Sequence, residues 1–224
     1  MIRKDLGERW GQLDPAGPPA IDWLVPIVGS RCVVLLGAFD PPTNAHLAIV
    51  DAAAGIVGAP AALGMTKMML ARPDDELFSP EERVALLTSV AEEERSGFLI
   101  ANRGTYLDVA RALGAEGFDA SFLVGSDKLR QLADPAFYRD GSDGVAATFA
   151  EVRLVVVPRP GSTIDRDDVT VIDPRDVFGS GVSGADLTGL SGTKVRRKVA
   201  AGEPVDGLVP QAVAVALGGY TSAR

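Results

Sequence analysis

The chain has 224 residues, with 22 Lys or Arg against 30 Asp or Glu, which gives a formal net charge of −8. Its one cysteine, Cys32, excludes an intrachain disulfide, and together with its one histidine, His46, excludes zinc sites of four Cys or of two Cys and two His. The acidic balance argues against a generally basic surface of the kind that binds nucleic acid.

Residues 1–30 are predicted to form an N-terminal extension and linker, and residues 31–224 a single domain. The first residues are charged with no apolar run behind them, unlike a signal peptide, and 13–19 is rich in Pro and Gly like a linker. The longest apolar stretch, 45–65, is interrupted by Asp, Pro and Gly, so it does not predict a membrane span. We therefore expect a cytoplasmic protein with no membrane partner.

Apolar runs alternate with helical patterns along the rest of the chain. The predicted strands are 32–36, 65–70, 97–101, 120–124 and 152–157. The predicted helices are 44–57, 80–94, 105–113, 127–132 with Ser126 as its cap, 193–201 and 210–217. Segments 134–144 and 161–189 are polar and rich in Gly and Pro, so we expect long loops there. The alternation predicts an α/β fold, a Rossmann-like parallel sheet with helices on both faces and ligands beyond the carboxyl ends of its strands.

The first predicted strand is followed by a stretch suited to phosphate, Gly37-Ala38-Phe39-Asp40-Pro41-Pro42-Thr43-Asn44-Ala45-His46. Gly37 lets a ligand approach the backbone, and the helix start after it exposes N–H groups that suit an anion. Thr43 can cap this helix and His46 lies one turn further on the same side, so that hydroxyl and imidazole would flank one phosphate. The alternative is that Thr43 is only a cap and His46 only a first-turn residue.

Two later helix starts carry similar chemistry. Ser191, Gly192 and Thr193 precede four cations within five residues, Lys194, Arg196, Arg197 and Lys198. This pattern favours a cradle for a triphosphate, the alternative being a solvated basic helix face. The third motif, at the end of the predicted strand 120–124, reads Val124-Gly125-Ser126-Asp127. Asp127 could accept hydrogen bonds from ribose hydroxyls, or be only an acid in the first turn of a helix.

In this order, the three motifs resemble those of the nucleotidyltransferase superfamily, and more narrowly those of nicotinate- or nicotinamide-mononucleotide adenylyltransferases. Further similar stretches are Gly104-Thr105-Tyr106-Leu107-Asp108-Val109, Val157-Pro158-Arg159-Pro160-Gly161 and 201–213. The resemblance implies transfer of the adenylyl group of ATP to the mononucleotide, with release of pyrophosphate, in NAD biosynthesis. It also implies Mg²⁺ held mostly by phosphates and water, with no protein metal site.

The resemblance further implies a role for each matching residue. His46, Thr43 and Arg196 would be catalytic, with His46 and Thr43 at the α- and β-phosphates and Arg196 and Lys194 on the β/γ side. The ATP-binding residues would be Gly37, Ala38, Phe39, Asp40, Gly125, Asp127, Ser191, Gly192, Thr193 and Lys194. The acceptor-binding residues would be Thr105, Tyr106 and Arg159. The implied partners are small nucleotides, and a homo-oligomer stays open.

The chain departs from the family pattern at three places. It reads Thr43-Asn44-Ala45-His46 where bacterial members usually read His-x-Gly-His, although eukaryotic-type members carry Thr-Asn-x-His. Gly192 stands in place of a Ser. Residues 71–78 lack a Pro-Pro-His-Lys-like stretch that helps hold the acceptor, so Lys67 or Arg72 would have to substitute. The alternatives are a relative with another acceptor, of the cytidylyltransferase, phosphopantetheine or FMN adenylyltransferase type, or a non-catalytic nucleotide-binding relative.

Overall fold

The computed structural model describes residues 4–68, 76–159, 161–173 and 192–221. Its strands are β1 (Ile21–Val25), β2 (Arg31–Leu36), β3 (Ala61–Thr66), β4 (Gly97–Ala101), β5 (Asp119–Gly125), β6 (Arg153–Val157) and β7 (Thr170–Val171). Its helices are α1 (Lys4–Gln12), α2 (Asn44–Val57), α3 (Pro80–Glu94), α4 (Tyr106–Ala115), α5 (Ser126–Leu132), α6 (Ser142–Glu151), α7 (Gly192–Ala200) and α8 (Gln211–Thr221), with a 3₁₀ turn at Pro135–Phe137.

The described strands form one sheet in the order β1-β4-β3-β2-β5-β6-β7. Neighbouring strands run parallel except β1, which is antiparallel to β4 at the edge. The chain order reverses between β2 and β5, and a parallel sheet opens a crevice at the carboxyl ends of the strands at such a point. The predicted α/β fold is confirmed.

Alternating side chains of the central strands reach two separate cores. In β2, Val33 belongs to a core that includes Val84 of α3 and Val195 of α7. Its neighbours Cys32 and Val34 belong to the other core, with Val109 of α4 and Leu129 of α5. The helices therefore cover both faces of the sheet, as predicted.

Local signals fixed two helix starts correctly. Thr43 accepts a hydrogen bond from the His46 N–H, and Ser79 does the same for Glu82, so each helix begins with a capping box. Gly58 ends α2 in the left-handed conformation, with φ of 67°. Both helix starts can be predicted from the sequence, because each cap residue forms its hydrogen bonds within four residues.

Other elements differ from the sequence prediction. The second predicted strand, 65–70, starts four residues too late, because β3 begins at Ala61. In a sequence pattern, a glycine such as Gly64 is typical of a turn. Gly64 is instead required by close packing, since a Cβ there would lie 2.4 Å from Cδ2 of Leu36. The loop predicted for 134–144 contains the start of α6. There Gly144 fits against Tyr138, whose Cβ would lie 2.6 Å from an added Cβ.

Both edge strands lay outside the predicted set. β1 brings part of the segment assigned to the extension and linker into the sheet, where Ile21 pairs with Ala101. β7 has two residues and lies in the segment predicted to be a loop at 161–189, of which 174–189 is outside the described residues. A strand of two residues such as β7 carries no periodicity that a sequence pattern could show. Among the described helices, none is both long and apolar enough to cross a membrane.

Candidate functional site

The loops that follow β2 and β5 meet at the crevice where the strand order reverses. The first loop carries Gly37 to Thr43 into α2, and the second carries Gly125 into α5. The topology thus brings two of the three sequence motifs to one edge of the sheet.

The side chains of Thr43 and His46 hold each other at the start of α2. The Thr43 N–H donates to Nδ1 of His46 at 3.1 Å, and the Thr43 hydroxyl lies 2.9 Å from the same nitrogen. Because Nδ1 accepts, the neutral ring carries its proton on Nε2 and can donate there. Thr43 is fully buried. Thr43 therefore orients His46, and the imidazole keeps a nitrogen for a ligand, while a contact between the Thr43 hydroxyl and a phosphate stays a prediction.

Phe39 fixes the other side of the imidazole. Its backbone is left-handed, with φ of 47°, which is uncommon for a bulky residue. The turned-in ring meets His46 edge to face, with 5.3 Å between centroids. A Cβ on Gly37 would lie 3.0 Å from the same ring, so glycine leaves room for this packing. Phe39 is buried, so its ring packs against the imidazole of His46 from the protein interior.

Burial lowers the pKa of His46 from 6.5 to about 4, so the apo protein holds a neutral imidazole. The unfolded chain then binds more protons between pH 6.5 and 4. We expect stability to fall as pH drops through that window, by up to roughly 3 kcal/mol from this group. Because the chain has one histidine, an NMR titration of its ring protons reports this pKa alone. The pH dependence of unfolding of a His46→Asn variant, which keeps all the carboxylates, isolates the contribution of the histidine to stability. A pKa above 6 in the apo protein would contradict this expectation.

Asp40 faces the protein interior, contrary to its predicted place among the ATP ligands. It is 4% exposed, and its carboxylate accepts the N–H groups of Leu77 and Phe78 at 3.0 Å each. Burial raises the pKa of Asp40, against the lowering effects of those N–H donors and of the Arg83 and Arg196 charges. The side chain therefore anchors the loop to residues 76–78 and leaves only its backbone for a ligand.

The carbonyl groups of this loop are also used. Arg83 of α3 donates to the Ala38 carbonyl at 3.2 Å and to the Glu76 carboxylate at 2.9 Å. The Arg83 side chain is fully buried. Sequence reasoning missed this residue, because a cation inside a helical pattern looks like any surface Arg.

The start of α7 packs directly on the same loop, which joins the third motif to the first. Arg196 donates to the Asp40 carbonyl at 2.8 Å and to the Thr193 hydroxyl at 3.2 Å. A Cβ on Gly192 would lie 3.1 Å from the Asp40 carbonyl oxygen. This close approach accounts for glycine at a position where the family usually has Ser. Lys194 is exposed on this helix, and Ser191 lies outside the described residues.

Asp127 and Arg159 form an ion pair beyond the ends of β5 and β6. Nε of Arg159 lies 2.9 Å from the Asp127 carboxylate, and both side chains are about half exposed. Partial burial acts to raise the pKa of Asp127, but the charge and hydrogen bond of Arg159, with nearby N–H donors, lower it below its ordinary value. A Cβ on Gly125 would lie 2.5 Å from the same carboxylate.

Ser126 was predicted to cap α5, and that prediction is wrong. Gly125 occupies the cap position and gives no side-chain hydrogen bond. The Ser126 hydroxyl instead accepts the Arg159 N–H at 3.0 Å and lies 2.8 Å from the Ser162 hydroxyl. It thereby ties the end of β6 to α5.

The predicted acceptor residues of α4 have different surroundings. Thr105 caps the helix and donates its hydroxyl hydrogen to Asp108 at 2.8 Å. Tyr106 is 8% exposed and packs edge to face on Phe122, with centroids 5.7 Å apart. Burial, and secondarily the charge of Asp127, raises the pKa of Tyr106. The Tyr106 ring thus belongs to the core, and its predicted contact with the acceptor stays a prediction.

Lys67 and Arg72 are the cations predicted to substitute for the missing Pro-Pro-His-Lys-like stretch, and the structure describes only Lys67. Lys67 donates to the carbonyl groups of Gly11 at 3.1 Å and Leu13 at 2.7 Å, so it is engaged with the N-terminal segment. Arg72 lies outside the described residues. Within the described ranges, no group of three or more His, Cys, Asp or Glu could hold a metal ion.

Comparison with known proteins gives one matching family model and related sequences. The cytidylyltransferase-like family model matches residues 34–198. A Salinibacter ruber protein described as a probable nicotinate-nucleotide adenylyltransferase is 28% identical over 186 residues, which covers 79% of this chain and 89% of that protein.

Solved structures agree on the fold. A Plasmodium falciparum nicotinic acid mononucleotide adenylyltransferase complexed with NaAD superposes with a TM-score of 0.59 at 13% identity, covering 86% of this chain and 96% of its own. The same enzyme complexed with APC gives a TM-score of 0.59 at 12% identity over the same shares. At these identities the likeness concerns architecture.

Proposed function

The chain belongs to the cytidylyltransferase-like family and is thereby a nucleotidyltransferase, and from that premise we propose that it transfers the adenylyl group of ATP to nicotinate mononucleotide. The products are the dinucleotide and pyrophosphate, and the reaction is a step of NAD biosynthesis. The choice of acceptor is supported by the name of the Salinibacter ruber relative.

One observation carries the proposal: His46 is held as a neutral donor beside a loop on which Arg196 is fastened. Nδ1 of His46 accepts from Thr43, which leaves Nε2–H for a phosphate oxygen. Arg196 is fixed by the Asp40 carbonyl at 2.8 Å. A neutral donor and a fixed guanidinium on adjoining elements suit a polyphosphate whose charge shifts during reaction.

In the proposed reaction, an oxygen of the acceptor 5′-phosphate attacks the α-phosphorus of ATP. The bond from that phosphorus to the bridging oxygen breaks, and pyrophosphate leaves with the electron pair. His46 donates to a non-bridging oxygen of the α-phosphate, while Arg196 and Lys194 contact the β- and γ-phosphates. Their contribution is to position two anions and to stabilise charge on the transferred group.

The remaining residues define the two ends of the site. Asp127 accepts from the ATP ribose next to Gly125, and Arg159 and Thr105 contact the acceptor. ATP enters as its Mg²⁺ complex, with the ion held by phosphates and water, because the Asp40 carboxylate accepts buried N–H groups and no group of three metal-ligating side chains lies among the described residues.

Pyrophosphate release tests the proposal. We expect release with ATP plus nicotinate mononucleotide, at a kcat/KM about tenfold or more above that with nicotinamide mononucleotide, because an extra carboxylate on the acceptor meets guanidinium groups such as Arg159. The matched reaction with CTP in place of ATP is the nucleotide control.

Other outcomes would replace the proposal. Faster release with CTP, or with phosphopantetheine or FMN as acceptor, would assign a different nucleotidyltransferase reaction. ATP binding in calorimetry without release for any acceptor would indicate a non-catalytic nucleotide-binding protein.

A further inference from the structure

A segment ahead of the sheet lies against the residues that follow β3 and β4. We call residues 11–20 the N-terminal strap. Helix α1, whose last two residues begin the strap, is fixed by Leu6 and Trp10, both buried in one of the two cores. Arg9 of α1 donates to the Trp23 carbonyl of β1 at 2.9 Å and pairs with Asp22. The strap is therefore anchored at both ends.

Side chains directly after β3 and β4 hold the strap in place. Lys67, the first residue after β3, donates to two strap carbonyl groups, as described above. Asn102, the first residue after β4, accepts the Ala20 N–H at 2.8 Å. It also donates to the carbonyl groups of Asp14 at 2.7 Å and Pro18 at 2.8 Å. Asn102 is 2% exposed, so breaking these bonds would leave buried polar groups without partners.

The next residue, Arg103, connects the strap to the start of α4. Its Nε donates to the Gly17 carbonyl at 2.9 Å, and its Nη1 lies 4.0 Å from the Asp108 carboxylate. Asp108 in turn accepts from the Thr105 hydroxyl and donates its N–H to the Thr105 oxygen at 3.0 Å. A continuous line of contacts thus runs from Gly17 through Arg103 and Asp108 to Thr105.

This line of contacts lies on the same edge of the sheet as the nucleotide crevice. β3 adjoins β2 and β4 adjoins β3, so the strap covers the carboxyl ends of the two strands on the side away from Asp127 and Arg159. The loop after β4 is pressed against the end of β3, since a Cβ on Gly104 would lie 2.2 Å from the Met68 carbonyl oxygen. A ligand reaching from His46 toward Thr105 would meet the strap as its outer boundary.

We propose that the N-terminal strap is the outer wall of the acceptor side, and that Arg103 is a positioning residue that couples the strap to Thr105 through Asp108. The inference rests on the proposed function, because it gives Thr105 the acceptor. Because the Thr105 hydroxyl gives its hydrogen to Asp108, its oxygen can accept from a hydroxyl of the acceptor ribose, and its fixed position lets it do so without first being ordered. The ATP contacts proposed for His46 and Arg196 do not involve the strap.

The variant Arg103→Gln separates positioning from a general effect on folding. We expect the KM for nicotinate mononucleotide to rise about tenfold, while kcat and the KM for ATP stay within about twofold. Arg103→Lys keeps a cation near Asp108 and should recover part of the loss. Arg111→Gln is the matched control, because Arg111 of α4 forms an exposed ion pair with Glu151 of α6 and does not touch the strap.

A second variant tests the strap itself. Asn102→Ala removes the three hydrogen bonds to strap residues and should raise the same KM, and it should weaken binding of nicotinate mononucleotide in calorimetry without ATP. If the wild type is active and Arg103→Gln leaves the KM for nicotinate mononucleotide unchanged, the inference is overturned and the proposed function is not affected. An equal rise in Arg111→Gln also overturns it. A wild type that neither binds nor converts nicotinate mononucleotide overturns both.

Discussion

Replacing His46 with alanine is expected to lower kcat by roughly two to four orders of magnitude, as for other positioned groups that stabilise developing charge. The substitution removes the Nε2–H donor at the α-phosphate. The measurement is pyrophosphate release at saturating ATP and acceptor, which separates kcat from binding. Turnover equal to that of the wild type would remove His46 from the mechanism.

Alanine also removes a partner of the Thr43 cap, so two conservative variants separate catalysis from helix stability. In His46→Asn, Oδ1 takes the place of Nδ1 and accepts the Thr43 N–H, but no donor reaches the position of Nε2. In His46→Gln, the amide nitrogen reaches toward that position, but the acceptor for Thr43 is lost. We expect Gln to retain more activity and Asn more stability. The reverse order of activities would mean that the cap, and not the donor, carries the effect.

Replacing Asp40 with alanine is expected to lower the free energy of unfolding by roughly 3–5 kcal/mol. The carboxylate accepts the N–H groups of Leu77 and Phe78 in a buried site, and its removal breaks these charge-assisted hydrogen bonds where water cannot readily replace them. Asp40→Asn should cost less, because its oxygen can still accept from Phe78. Urea unfolding of the three proteins measures the series.

The matched control is Asp134→Ala. Asp134 also accepts a backbone N–H, that of Ala136 at 2.9 Å, but in an exposed turn. Its loss should cost only about 0.5–1 kcal/mol. If Asp40→Asn were as stable as the wild type and instead raised the KM for ATP tenfold or more, Asp40 would be a direct nucleotide ligand, as its motif position suggested.

Sequence patterns predicted the two strand–glycine–helix stretches that the sheet brings to one edge, because the elements of each stretch are local. A strand, a glycine and a helix start follow one another within a short stretch at Gly37–His46 and again at Gly125, although only the first helix has a side-chain cap. The parallel sheet itself required only the alternation of apolar runs and helical periods. The order of the motifs then indicated the family, and the match to its model confirmed that resemblance.

What individual side chains do in the site was decided by residues distant in the sequence. Arg196 lies 156 positions from the Asp40 carbonyl to which it donates, and Phe78 lies 38 positions from the Asp40 carboxylate. Tyr106 lies in a motif that predicted contact with the acceptor, but its ring packs on Phe122 in the core.

The strap shows the same limit most clearly. Its composition predicted a linker, and no pattern in residues 11–20 indicates which side chains of the domain bind it. Asn102 and Arg103 hold it from positions more than 80 residues away. Short-range periodicity and capping are written in adjacent residues, so the sequence by itself determined the fold class and the helix starts. Burial and the direction of each polar group depend on which distant segments pack together, and only the tertiary structure decided them.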